Sequence, residues 1–392
     1  MPGGDLTLPN AEARVALLLP LTGRHAKVGQ ALLNAAQLAL FDMPAQRFAL
    51  LVRDTGGTPQ GAVAAANGAL ADGASLILGP LFATEVQAMA WEAQSRGVSV
   101  VSFSNDRGVA GGGVFVMGLN PQLQVERVVA YASQQGLQRF AVLAPATAYG
   151  DTVLRAMQQA VARNGAQLSR TVSYDPSTGD ASAEVRSLAE YDRRRQDLIV
   201  ERQRLAGRDD SDSKRELRRL ERLDTFGPPS FDAVMLPAGG QSLLALAPLL
   251  PYYDIDPKEV HYLGTALWDD PTLGAEPALI GGWFAAPPPQ LWQSFRERYE
   301  QTYGDPPPRI ASLAYDATAL ASVLAGRAFA QGKRTAFDLE AVTQPSGFSG
   351  VDGIFRFLPD GESQRGLAVL EMQRGGFTVR DPAPQTFEPL AF

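Results

Sequence analysis

Short apolar runs alternate along this chain with longer stretches whose apolar positions recur at helical spacing. The first unit sets the pattern: Arg14 to Leu21 (RVALLLPL), then Thr22 and Gly23, then a helical run from His25 to Phe41. The runs Phe48 to Val52, Ser75 to Leu78, Val98 to Phe103, Phe140 to Leu143 and Ala233 to Leu236 are flanked in the same way. Leu-rich or β-branched runs between amphipathic helices predict βαβ units, and hence parallel sheets with helices on both faces. Such sheets present their ligand-facing loops at the carboxyl ends of the strands. Here those loops read LPLTG, LGPLFATE, VSFSND and LAPATAYG.

The first lobe is predicted to run through four units to Phe103, turn at Gly111 to Gly113 and add a strand from Val114 to Leu119. Asn120-Pro121 ends that strand and opens a helix to Gln135, which puts the first crossing between lobes near Leu119 to Gln124. The second lobe repeats the pattern with a strand over Phe140 to Pro145, a helix over Gly150 to Asn164 and a strand over Gln167 to Tyr174. Further strands follow at Ala233 to Pro237 and Tyr262 to Ala266, and Gly281 to Ala286 leaves the lobe. Two helices come next, Gln290 to Tyr303 and Ile310 to Gln331.

The interval 190–224 breaks this rhythm with eleven basic and ten acidic residues. A sparse apolar seam runs through Tyr191, Leu198 and Leu205, and another through Leu217, Leu220 and Leu223. Ser213 to Glu216 fits a capping box, and Gly207 to Asp212 fits the turn before it. The pattern predicts a charged helical hairpin inserted in the second lobe, either a partner-docking element or a solvated arm.

A chain of 392 residues exceeds the usual size of one compact core, so two lobes are expected. The net charge of −7 argues against a nucleic-acid surface, and the cations are almost all Arg, with four Lys. With no Cys there is no disulfide framework and no Cys-based metal or nucleophile site. No apolar run is long enough to span a bilayer, and Met1 to Asn10 lacks the basic and apolar regions of a signal peptide. The signal of an exported precursor, and any lipid-anchor Cys with it, would therefore be missing from this sequence.

Catalytic signatures fail one by one. Gly326 to Lys333 has the wrong glycine spacing for a phosphate loop, with Arg334 where Ser or Thr should stand, and reads as a helix ending at Gly332. Ser211 to Lys214 matches S-x-x-K without its K-T-G partner. His25 and His261 lie far apart and belong to no metal or triad motif; His25 either faces a cleft or is an ordinary surface residue. Asp209, Asp210 and Asp212 lack the glycine and terminal Glu of a calcium loop. The chain is therefore read as no enzyme, with no cofactor and no metal.

What remains is a series of small polar residues at strand ends: Thr22 and Gly23, Ala83 and Thr84, then Ser102, Ser104 and Asn105, with Tyr149 at the equivalent edge of the second lobe. Free helix N–H groups at such positions suit anions or carboxylates. Thr22, Thr84 and Ser104 read equally as simple helix caps, but their recurrence at one edge favours a cleft.

In this order the segments VALLLPLTGRHAKVGQALLNAAQLAL, RDTGGTPQGAVAAANGAL, LILGPLFATEV, VVSFSND, AYGDTVLRAM and YGDPPPRIASLAYDATAL resemble type I periplasmic binding proteins of the leucine/isoleucine/valine-binding class. FSGVDGIFRFLPDGE at Phe348 to Glu362 is similar to the segment that recrosses the hinge in that class. The phrases LLLPLTGR, ILGPLFATEV and FSND look most like LppC/LpoA-type lipoproteins, the penicillin-binding protein activators. Those are non-enzymatic periplasmic proteins anchored to the outer membrane, which stimulate peptidoglycan synthases by contact.

The resemblance implies two Rossmann-like lobes of a type I periplasmic-binding fold, crossed three times by the chain. Lobe 1 would comprise 11–121 and 287–345, lobe 2 would comprise 122–286 and 346–380, and an interlobe cleft would bind a small molecule or cell-wall fragment. The amino-acid-binding branch places its first-lobe Ser/Thr loop on Leu81, Phe82, Ala83 and Thr84, its strand-end polar loop on Ser102 to Asn105, and its second-lobe aromatic on Tyr149. Its acidic ammonium partner falls on Ala266, near Trp268, and an alanine cannot compensate a buried ammonium. Asp269, Asp270 or Asp106 would have to substitute. The implied partner is a peptidoglycan synthase, with the membrane reached only through a lipid anchor. The alternative is the solute-binding receptor of an ABC importer for amino acids or related small molecules.

Overall fold

The computed structural model describes residues 13–43, 48–333 and 335–387. Met1 to Asn10, Arg334 and the start of the expected first lobe lie outside them. Of the described residues, unit 1 holds those up to Asn120, those within Pro287–Gly366 and those from Ala383 on; unit 2 holds Pro121–Ala286 and Leu367–Pro382.

In unit 1 the chain runs β1 (Ala13–Leu19), α1 (Ala26–Asp42), β2 (Phe48–Asp54), α2 (Pro59–Ala71), β3 (Leu76–Leu78), α3 (Ala83–Gln94), β4 (Ser99–Ser102) and β5 (Val114–Val116). Unit 2 begins with α4 (Pro121–Gln134), β6 (Arg139–Pro145), α5 (Ala148–Arg163), β7 (Gln167–Tyr174), α6 (Ser182–Leu188), α7 (Tyr191–Ala206) and α8 (Ser211–Leu220). It continues with β8 (Ala233–Met235), α9 (Gly240–Leu246), α10 (Leu249–Tyr252), β9 (His261–Gly264) and β10 (Trp283–Ala286). Back in unit 1 come α11 (Pro289–Tyr303), α12 (Ala311–Ala330), α13 (Leu339–Val342), β11 (Phe348–Gly350), β12 (Gly353–Phe357) and β13 (Ser363–Arg365). Unit 2 then gains β14 (Ala368–Gln373) and β15 (Gly376–Asp381).

The sheet of unit 1 has the order β2-β1-β3-β4-β5 and is parallel throughout. β1 shows why its sequence is apolar without alternation. Val15, Leu17 and Leu19 enter one core with α1 and α12, while Ala16 and Leu18 enter the opposite core with α2 and α3. A strand covered on both faces has no polar side. Leu17, Leu18 and Leu19 are fully buried, each worth about 1.5–3 kcal/mol. Unit 2 has the order β15-β14-β10-β9-β8-β6-β7, with β14 and β15 antiparallel on the edge of a parallel sheet.

Three expectations need correction. The stretch 346–366 belongs to unit 1, not to the second lobe: β11, β12 and β13 form an antiparallel sheet of their own. The Val116 N–H donates to Gly361 O at 2.9 Å, and Arg107 pairs with Glu362, which ties this segment to β5. The chain also passes between units four times rather than three, because Ala383 and the described residues after it return to unit 1. Finally, the capping box at Ser213 is not formed. The N-cap of α8 lies three residues earlier, at Asp210, whose Oδ1 accepts the Ser213 N–H at 2.8 Å, and Glu216 pairs with Arg219 instead.

The charged insert is a helical hairpin with a small core of Leu198, Leu205 and Leu220, against which Leu217 packs. Its charges largely answer one another within a turn, as in Glu201–Arg204 and Asp212–Arg215. Arg194 is different: it is buried and donates to Gly227 O and to Asp254 Oδ2 at 3.1 Å, fastening the hairpin base.

Candidate functional site

In an open α/β sheet a ligand settles outside the carboxyl ends of the strands where successive connections diverge. The strand orders put that point between β1 and β3 in unit 1 and between β6 and β8 in unit 2.

At the end of β1, Thr22 and Gly23 are exposed, and Gly23 adopts φ +75°. Thr22 does not cap the turn that follows. Its hydroxyl donates to Asp54 Oδ2 at 2.6 Å, while the N–H groups of Leu21, Thr22 and Gly56 donate to Oδ1 at 2.8, 3.2 and 2.8 Å. Burial pushes the Asp54 carboxyl up, but these bonds outweigh it and hold the group below the ordinary carboxylate value. A carboxylate of the protein thus already occupies donors that the sequence offers to a ligand. Asp54 escapes sequence reasoning because it reaches back from β2; the signal, had it been used, is an Asp closing a strand before Thr-Gly-Gly.

At the end of β3 the chain enters α3 with Phe82 as N-cap, so Thr84 is not the cap. Phe82 is half-buried against His25, with ring centroids 4.6 Å apart, and His25 Nε2 accepts from Arg24 Nε at 2.8 Å. Glu85 is fully buried, and its Oε2 accepts the Phe82 N–H at 3.1 Å. Burial pushes the Glu85 carboxyl up against the pull of Thr55, the Phe82 N–H and the His25 charge. The N–H groups of Ala83 and Thr84 have no partner among the described residues. They are the first two donors of a twelve-residue helix, where the macrodipole is positive.

At the end of β4, Ser102 and Ser104 are buried, and their hydroxyls serve the backbone. Ser102 Oγ donates to Pro80 O at 3.2 Å and accepts the Ser104 N–H at 3.0 Å, while Ser104 Oγ accepts the Asp106 N–H at 3.1 Å. Asn105 is exposed. Asp106 accepts the Gly108 N–H at 2.8 Å and so caps its own turn.

In unit 2, Thr147 caps α5, and the half-buried Tyr149 shares a 2.8 Å hydrogen bond between its hydroxyl and Thr265 Oγ1. Burial pushes the Tyr149 phenol up to about 12 against the lowering effect of Thr265, so it is neutral at physiological pH. The Ala266 N–H donates to Gln124 Oε1 at 2.8 Å. Trp268 is not an edge residue. It is fully buried, its Nε1 donates to Leu236 O at 3.2 Å, and its ring fills a slot made by Gly264 and Gly282, where an added Cβ would lie 2.3 and 2.7 Å from it. Asp270 accepts the Thr272 N–H at 2.9 Å, and Asp269 has a partner of its own.

The strand ends of unit 1 therefore present Thr22, Gly23, Phe82, Ala83, Thr84 and Asn105 along one edge of the sheet, with Phe82 against His25, and in unit 2 Tyr149 bonds to Thr265, the neighbour of Ala266. Among the described residues no group of three or more His, Asp or Glu could hold a metal ion. No described helix is long and apolar enough to cross a membrane.

The sequence matches the family of periplasmic binding proteins over residues 12–376, which spans the sheets of both units up to the start of β15. The chain belongs to that family. Its fold is the type I periplasmic binding protein fold, with a leucine/isoleucine/valine-binding likeness, and the family implies a periplasmic location. A curated relative, the uncharacterized protein RP748 of Rickettsia prowazekii (strain Madrid E), is 25% identical over 189 residues; the match covers 47% of this chain and half the length of that relative.

Among solved structures, a branched-chain amino acid ABC transporter periplasmic ligand-binding protein from Burkholderia xenovorans LB400 has a TM-score of 0.70 at 15% identity, covering 96% of each chain. The leucine-binding protein LivK of Thermotoga maritima has a TM-score of 0.61 at 18% identity, covering 95% of this chain and 98% of its own. A solute-binding protein of an ABC transporter from R. palustris, solved with benzoate, has a TM-score of 0.60 at 14% identity, covering 95% and 97%. At these identities the likeness is one of fold.

Proposed function

We propose that this periplasmic binding protein is the non-catalytic solute receptor of an ABC importer, and that its solute is a small organic carboxylate without an α-ammonium group. The observation that carries this reading is the pair of unpartnered N–H groups of Ala83 and Thr84 at the start of α3, beside the exposed Thr84 side chain. Two convergent donors at a helix start are chemistry for a carboxylate. Position 266, where the amino-acid-binding class implies an acidic partner for the ammonium, is Ala266, and the carboxylates nearby serve their own turns or other partners. An ammonium taken there would be desolvated without a counter-charge. One structure of this fold holds benzoate, a carboxylate of this kind.

Isothermal titration with benzoate, a branched aliphatic acid and leucine tests the reading. Saturable binding of an acid but not of leucine is expected, with a stabilisation of about 2.7 kcal/mol at a hundredfold excess over Kd. Tight binding of leucine would refute the ligand class. Ala83→Pro isolates the donor, since proline is tolerated at the first position of a helix and Phe82 already has the extended conformation, ψ 140°, that a following proline requires. Loss of one charge-assisted hydrogen bond predicts binding weaker by roughly 10- to 100-fold with an unchanged melting temperature.

A second reading, the regulator implied by the likeness to penicillin-binding protein activators, has the α7–α8 hairpin in its favour, because Ile199 and Val200 are exposed on it. Replacing 198–222 by a short linker keeps Arg194 in place. The regulator reading predicts a folded protein that no longer stimulates a peptidoglycan synthase, whereas the receptor reading predicts unchanged acid binding in the same variant. An anchored lipoprotein form belongs to the regulator reading alone.

A further inference from the structure

Unit 2 carries a cavity of about 210 Å³ that shares no residue with the strand-end positions described above. It lies between the turn that follows β7 and the helices α9 and α10, and its apolar wall includes Ala181, Leu246 and Leu249. At roughly 30 Å³ per water its volume equals about seven waters, enough for a short chain of similar heavy-atom count.

The polar lining has one sign. Asp175 and Asp180 contribute two carboxylates, Gln241 and Ser242 are neutral, and no lining residue is basic. Each aspartate spends Oδ1 on its own turn: Asp175 accepts from the Ser177 N–H and hydroxyl at 2.8 and 2.7 Å, Asp180 from those of Ser182 at 2.9 and 2.6 Å. These serine bonds hold both groups below the ordinary carboxylate value. Neither enters an ion pair among the described residues, so the charge of this lining is uncompensated within the protein.

Tyr174 supplies an independent observation. It is 94% buried and lines the cavity, yet its hydroxyl has no hydrogen-bond partner among the described residues and is not sealed from solvent. Burial pushes the phenol up, so it stays protonated and can both donate and accept. A hydroxyl that opens on solvent beside an apolar wall and two exposed carboxylates can turn its lone pairs toward a ligand that brings a donor and a positive charge.

We propose that this cavity is a second binding site, which takes a primary ammonium group carried on a short aliphatic chain. The ammonium meets Asp175, Asp180 and the Tyr174 hydroxyl, and the methylenes cover Ala181, Leu246 and Leu249. No covalent step is involved.

The probe is pentylammonium chloride, titrated into the full chain at low salt and followed by calorimetry and by tyrosine fluorescence. Saturable binding is expected, absent for pentanol and for hexanoate. In Asp175→Asn/Asp180→Asn the asparagine oxygens still accept from Ser177 and Ser182, so the turns remain, and affinity should fall about tenfold or more. Tyr174→Phe should weaken binding several-fold, while Ala83→Pro should leave it unchanged, which separates this site from the carboxylate reading above. A far-UV spectrum and melting temperature equal to the parent's certify each variant. No saturable binding to the parent chain, or equal binding by the double asparagine variant, overturns the proposal.

Discussion

Arg365→Met is expected to destabilise unit 1 by about 3–5 kcal/mol, the usual cost of removing one member of a buried charge cluster. Arg365 is 9% exposed, its Nη2 donates to Met117 O at 2.7 Å, and its guanidinium sits 5.3 Å over the Phe355 ring. Two buried aspartates share its surroundings. Asp352 accepts from Ser312 Oγ at 2.7 Å and pairs with Arg309 at 2.7 Å, while Asp316 accepts the Val351 N–H at 2.6 Å and the Asp352 N–H at 3.3 Å. Nε and Nη1 of Arg365 make no hydrogen bonds, so it acts on the aspartates through its charge. Methionine keeps most of the volume, leaving two carboxylates with Arg309 alone and the Met117 carbonyl without its donor.

The pH dependence of that loss is a sharper test. Burial first, and then the Asp352 charge, hold the Asp316 carboxyl above its ordinary value, and Arg365 opposes them. An acid raised in the folded state contributes stability that is full below its unfolded pKa and is lost as pH rises through the folded one. Removing Arg365 raises Asp316 further, so the variant should lose more stability than the parent as pH rises toward neutrality and above. Urea unfolding from pH 5 to 8 reads both curves. A loss below about 1 kcal/mol, or one independent of pH, would mean that the cluster is not held by this charge.

The alternation of apolar runs carried the βα order of both sheets because burial on two faces leaves its mark residue by residue, as in β1. It carried less about the edges. Thr22 and Thr84 were legible as strand-end residues, but whether a hydroxyl faces outward depends on partners distant in sequence, and Asp54 takes the Thr22 hydroxyl from 32 residues away. Trp268 followed a strand end as a ligand-stacking aromatic would; its burial depends on Gly264 and Gly282, one of them fourteen positions later. Phe348 to Glu362 has the alternation of any antiparallel strand pair, and it is assigned to unit 1 by partners distant in sequence: Val116, Arg107, and Ser312 and Asp316 of α12. The cavity beside Tyr174 had no sequence signature, since its wall is assembled from the turn after β7 and from α9 and α10.

Acidification from neutral pH should weaken unit 2 through His261, by about 3 kcal/mol at most between the ordinary and the folded-state pKa. His261 opens β9 and lies against Trp283, with ring centroids 3.6 Å apart. Its Nε2 is buried without a partner, so a proton placed there has nothing to donate to. Burial is the largest influence and pulls its pKa down to about 4; Glu371 and the Gly281 backbone oppose this, and Arg380 adds to it. Glu371 is a weak counter-charge because its Oε2 already accepts the Trp283 Nε1–H at 3.0 Å and faces Arg380 at 3.5 Å. A histidine depressed in the folded state contributes stability that is full above 6.5, its unfolded value, and is lost as pH falls from there toward 4. His261→Phe should keep the contact with Trp283 and flatten that part of the pH profile, leaving only the loss from carboxylates. With two histidines in the chain, NMR can follow each ring directly. The imidazole whose signal vanishes in His261→Phe should remain untitrated until the pH nears 4; if it titrates near 6.5 instead, the buried pocket is open to water and the predicted loss of stability will be absent too.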